Sequence, residues 1–90
     1  MSEGFRLEWQ QSVSRDLLEA MSRAEPSFRP IILSAISDVE AVLAKEANTA
    51  GESREPGIRF LIHSPLAVSY KVDMRLREVH VFQARVFRTK

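Results

Sequence analysis

The chain has 90 residues, a net charge of +1, 44% apolar content and no cysteine. A chain of this length builds one modest core and buries about 60–65% of its unfolded surface, and its composition is that of an ordinary globular protein. The missing cysteines exclude disulfides, thiolate metal sites and cysteine nucleophiles, no apolar run approaches the roughly 18 residues that span a bilayer, and the opening MSEGFRLEWQ lacks the basic start and apolar stretch of a secretion signal, so a cytoplasmic protein with no membrane partner is expected.

Phe5, Leu7 and Trp9 alternate with Arg6 and Glu8, the pattern of a short strand with one apolar face. No hairpin partner adjoins it, so it is expected to pair with a strand from the far end of the chain. Residues 10–25 follow, with Val13, Leu17, Ala20, Met21 and Ala24 at helical spacing. Ser12 or Ser14 could cap the start, and Pro26 ends the helix, because proline disfavours helical geometry in the residue before it. A second helix is expected from an N-cap at Ser27, with Pro30 in the first turn, where a missing N–H costs little. Ile32, Ala35, Ile36, Val39, Val42 and Leu43 form its apolar stripe, and it fades near Ala47 to Asn48.

Residues 48–56 (NTAGESREP) read as a connection, since they hold Gly51 and Pro56 and no large apolar side chain. Three strands are expected after it. The first runs from Ile58 to His63, with Ile58, Phe60 and Ile62 on one face and Arg59, Leu61 and His63 on the other. The second runs from Ala67 to Asp73, beyond a Ser64-Pro65 turn. The third runs from Glu78 to Phe87, beyond a charged turn from Met74 to Arg77. Its alternation breaks, because Val79 and Val81 share one face while Phe82, Ala84 and Val86 take the other; a bulge or two-sided burial would reconcile this. The whole predicts an α+β fold in a single domain over residues 1–90. Its order is β-α-α-β-β-β, a helical hairpin packed on a mostly antiparallel four-stranded sheet.

The small net charge hides an asymmetry. Residues 1–53 carry five basic and nine acidic side chains, for −4, and residues 54–90 carry eight basic and three acidic, for +5. A polyanion would prefer the C-terminal part. No glycine-rich phosphate loop and no GxSxG motif is present. His63 and His80 have no third imidazole and no carboxylate pair to complete a metal site, so no metal or other cofactor is expected. What remains is a basic set. A sheet face bearing Arg59, Lys71 and Arg85, flanked by Arg54, Arg88 and Lys90, suits phosphate-backbone contact, and its guanidinium groups could stabilise charge on a phosphoryl group. Tyr70, the sole tyrosine, reads first as a core aromatic of its strand and only second as a proton carrier.

The order of elements and the stretch LAVSYKVD at residues 66–73 give the chain a resemblance to the RelE/ParE toxin superfamily of type II toxin–antitoxin systems. The central strand of that family often reads as a hydrophobic residue, tyrosine, a basic residue, valine and aspartate. Val68, Tyr70, Lys71, Val72 and Asp73 match it here, and Arg85 and Arg88 match the arginines that end the last strand. The resemblance implies a toxin silenced by a cognate antitoxin. For RelE-type members it implies metal-independent cleavage of mRNA at the ribosome, with Arg59, Arg85 and Arg88 as catalytic residues and Arg54, Lys71 and Lys90 as RNA contacts. Two features depart from that ribonuclease pattern: Leu66 or Ala67 stands where an arginine is typical before the central strand, and residues 87–90 hold no tyrosine. The expected activity is that of the RelE type; ParE-type members, which poison DNA gyrase, need no such set and are the alternative, with a non-catalytic binding module on the same fold as a third.

Overall fold

The helices form where apolar residues recur on one side. The computed structural model describes residues 4–88. Helix α1 spans Gln11–Arg23 and buries Val13 and Leu17, four residues apart on one face. Helix α2 spans Arg29–Glu46. Ile32, Ala35, Val39 and Leu43 are buried along it, and Ala47 just past its end extends the stripe. None of the serines expected as caps serves. Gln10 and Phe28 hold the N-cap positions without a side-chain bond. The end of α1 is instead closed from outside: Arg29 donates from Nε to Met21 O at 2.9 Å and from Nη2 to Ser22 O at 3.3 Å. A guanidinium there satisfies carbonyls that lack helical partners.

Five strands make one sheet: β1 (Arg6–Trp9), β2 (Glu52–Glu55), β3 (Ile58–His63), β4 (Leu66–Asp73) and β5 (Glu78–Val86), in the order β1-β5-β4-β3-β2. The N-terminal strand joins the last one in parallel, with Leu7 opposite Val79 and Trp9 opposite Val81. The remaining pairings are antiparallel. The expectation of four strands is corrected to five. The stretch expected to be a connection contains β2, a strand whose four residues are all exposed. It carries no apolar pattern because it lies at the sheet edge and neither of its faces meets the core.

Both helices cover one face of this sheet, and the core lies between. Leu66, Val68 and Tyr70 of β4, Val79 and Val81 of β5, and Val13, Leu17, Val39 and Leu43 of the helices are buried in one cluster, with Leu61, Val72, Ala84 and Val86 packed against it. Each large apolar side chain removed from water in this way contributes about 1.5–3 kcal/mol. The broken alternation of β5 resolves as a bulge. Tyr70 pairs with Val81 and Ser69 with Gln83, which leaves Phe82 as the extra residue and returns Ala84 and Val86 to the core face. No helix among the described residues is long and apolar enough to cross a membrane.

Of the three glycines, Gly51 leaves the least room for a side chain. Its φ is +68°, and a Cβ there would lie 2.4 Å from the carbonyl oxygen of Phe60. Gly51→Ala combines a left-handed backbone with a clash against rigid main chain, so it is expected to cost about 2 kcal/mol or more, which urea unfolding would measure.

Candidate target-binding face of the sheet

The register decides which side chains face the solvent. On β3, Leu61 packs on the core and Arg59 pairs with Tyr70, which is fully buried. Ile58, Phe60 and Ile62 therefore face away from the helices, and Ile62 is 60% exposed. The more apolar half of β3 is thus the uncovered half. Phe60, Ser69 and Gln83 form one row across β3, β4 and β5, and Ala67 with Arg85 begins the next. These five residues line a shallow groove of about 190 Å³. Its floor is low because Ala67 and Ser69 are small, and it is walled by a phenyl ring on one side and a guanidinium on the other.

Arg54 reaches this face from the edge. The pairing of β2 with β3 shifts register between Ser53 and Glu55, which makes Arg54 the bulged residue. Its guanidinium stands 4.8 Å from the centroid of the Phe60 ring and 3.5 Å from the Glu52 carboxylate. A stack of this kind at an exposed site is worth about 0.5–1 kcal/mol. Lys71 lies one row away, opposite Ile58 and His80. It borders a wider concavity of about 530 Å³ that also holds Asp73 and Glu78, so the mixed charge there does not favour a polyanion.

The basic set expected on one face is therefore divided. Arg54, Lys71 and Arg85 share the outer side. Arg59 does not: it donates from Nε to Ala50 O at 2.8 Å, and from Nη2 to Thr49 O at 3.3 Å and Gly51 O at 3.1 Å, on the helix-covered side. The alternation of β3 separates Arg59 from Phe60, and its pairing with Tyr70 turns it inward. Arg88 lies past β5 against the turn between the helices, 3.7 Å from the Glu25 carboxylate and 5.1 Å from the Phe28 ring centroid. Lys90 lies outside the described residues. Sequence reasoning missed Phe60, Ser69 and Gln83 as the groove; the only signal for it was the apolar set of β3, which does not by itself say which face is open.

Tyr70 is structural. Its hydroxyl donates toward Ala47 O at 3.1 Å and Ala50 O at 2.8 Å. Burial pushes its pKa above the ordinary 10.0, against a smaller opposing pull from Arg59. A raised folded pKa means that the neutral phenol is favoured in the native state. Its contribution to stability is full below pH 10 and is lost as pH rises through the folded value. The wild type is expected to lose stability above pH 10 more steeply than Tyr70→Phe, which parallel urea titrations at pH 8 to 11 would register. The histidines sit in separate places. His63 Nε2 is 3.0 Å from Asp38 Oδ2 of α2, and His80 Nδ1 is 3.5 Å from Glu8 Oε1 of β1.

No protein-family model matches the sequence, and no curated protein matches it. Solved structures do match the fold. A chain of the chromosomal ParDE toxin–antitoxin system from P. aeruginosa superposes with a TM-score of 0.73 at 21% identity, covering 97% of this chain and 100% of that one. The RelBE2 toxin–antitoxin complex from Mycobacterium tuberculosis gives 0.67 at 12% identity, covering 92% and 98%. The isolated E. coli RelE toxin gives 0.53 at 15% identity, covering 96% and 87%. The two helices on a mostly antiparallel sheet are a RelE/ParE-like toxin fold. The first of these structures is of a toxin–antitoxin system, the second of a toxin–antitoxin complex and the third of an isolated toxin.

Proposed function

We propose that this chain is the toxin of a type II toxin–antitoxin pair and that it acts by binding its target through the outer face of the sheet. The target implied by the ParE side of the resemblance is DNA gyrase. One observation carries this reading: among the described residues, the groove beside the apolar side of β3 is lined by Phe60, Ala67, Ser69, Gln83 and Arg85, with Arg54 stacked on Phe60, and neither the tyrosine nor a histidine lines it. Tyr70 is buried behind the sheet. His80 is paired to Glu8 and stands opposite Lys71, outside the groove and five residues back along β5 from Arg85, about 16 Å at strand spacing. An uncovered apolar row rimmed by charge is the composition of a protein-binding surface. The match to a ParDE structure over nearly the whole chain supports the same direction. A cognate antitoxin would silence the protein by covering this face.

A second reading is ribosome-dependent mRNA cleavage of the RelE type. It is favoured by Arg54 over the Phe60 ring and Arg85 in the same groove, a grouping that suits phosphate contact and base stacking. Purified protein added to a gyrase supercoiling reaction and to ribosomes carrying mRNA separates the two. The expected result is inhibited supercoiling with intact mRNA. Cut mRNA with unimpaired supercoiling would replace the first reading with the second. Neither effect, together with unimpaired growth of an expressing host, would leave a non-catalytic binding module.

A further inference from the structure

The carbonyls of the connection between α2 and β2 belong to no helix ladder and must find other donors. Past α2, two side chains that face each other across β3 and β4 supply them. Tyr70 donates toward Ala47 O and Ala50 O, and Arg59 donates to Thr49 O, Ala50 O and Gly51 O. The next residue after Gly51 begins β2. All four β2 residues are exposed, so no buried side chain anchors that strand. It is held by its backbone pairing with β3 and by the connection that delivers it. Arg54 is the bulged residue of β2, and it alone carries a cation across the edge to Phe60.

We propose that Arg59 is a positioning residue. From the helix-covered side of the sheet it clasps the α2–β2 connection, seats β2 on β3, and thereby holds Arg54 over Phe60 on the outer side. A guanidinium is suited to this, because its rigid fork reaches neighbouring carbonyls at once, whereas a lysine ammonium is a point donor. The positioning stands on geometry alone; its consequence for activity rests on the reading of the outer face as the target-binding surface.

The test uses the full chain labelled for NMR, with amide exchange measured in parallel. In wild type, the Arg54 side-chain resonance is shifted by the Phe60 ring. In Arg59→Ala that shift is lost and the β2 amides exchange about tenfold faster or more, the factor that matches loss of a charge-assisted hydrogen bond. The β4 and β5 amides stay protected. Growth arrest by Arg59→Ala falls to the level of Arg54→Ala, the double variant falls no further, and Arg59→Lys recovers part of the β2 protection. If Arg59→Ala fails to fold, Arg59→Met keeps the aliphatic stem, removes the donors and carries the same readouts. An unchanged Arg54 shift with unchanged β2 exchange overturns the proposal. A loss of activity beyond that of Arg54→Ala with β2 intact also overturns it, since Arg59 would then touch the target itself. If wild type does not arrest growth, the functional reading fails while the Arg54 shift still decides the positioning.

Discussion

Tyr70→Ala removes most of the folding free energy of this chain. Tyr70 is fully buried on β4, in the cluster that joins the helices to β4 and β5. Truncating a large buried aromatic costs about 3–5 kcal/mol. The change also removes the hydroxyl that donates toward Ala47 O, while Ala50 O keeps Arg59 Nε, and a buried acceptor left without its donor costs about 1–3 kcal/mol more. A 90-residue domain has only about 5–13 kcal/mol in all. The expected outcome is a chain unfolded, or nearly so, at 37 °C. Tyr70→Phe keeps the ring and loses only the hydroxyl, so its cost is about 1–3 kcal/mol. Urea unfolding followed by circular dichroism measures both. Equal, small losses for the two variants would contradict the packing role of the ring.

The second large effect is on function and leaves stability alone. Arg54 and Arg85 are exposed, and neither supports the core. Replacing both by alanine is expected to change unfolding free energy by no more than about 0.5 kcal/mol per site, the usual range for such surface positions. Their loss removes the cation stacked on Phe60 and the guanidinium that walls the other side of the groove. If the outer face grips a target, losing interface charges of this kind costs about 2–5 kcal/mol of binding, a factor of roughly 30 to several thousand. A titration of the supercoiling reaction with the double variant measures it. A midpoint unchanged from wild type would remove the outer face from the mechanism.

Most of the fold was legible because most of it follows from patterning. The strand of Phe5, Leu7 and Trp9 was expected to seek a distant partner, and it pairs with β5. The stripe from Ile32 to Leu43 marked α2, and the clash between Val79–Val81 and Ala84–Val86 left a bulge or two-sided burial, of which the pairing shows a bulge at Phe82. Two things escaped for physical reasons. Strand β2 is held by backbone pairing at an edge, so its side chains bear no trace of it. The faces of β3 were divided correctly, but alternation does not say which one the helices cover. Ile58, Phe60 and Ile62 outweigh Leu61 in apolar area, yet it is Leu61 that packs on the core. The same ambiguity put Arg59 with Lys71 and Arg85 in the reading of the sequence, where the register puts it with Tyr70.

That division of the arginines also sets the chemistry. A site for RNA cleavage needs charge stabilisation and proton transfer at one place. Here the tyrosine hydroxyl and one arginine are committed to main-chain carbonyls on the covered side. On the open side Arg54 stacks on Phe60 and Arg85 lines the groove beside it.

The central claim is that this chain is a toxin acting through the open face of its sheet. Induced expression in a bacterial host tests it most directly, with wild type and Arg54→Ala/Arg85→Ala brought to the same soluble level and scored by plating. The account predicts that wild type arrests growth and that the double variant does not. A wild type that leaves growth untouched, or a double variant that arrests it as strongly, would contradict the account.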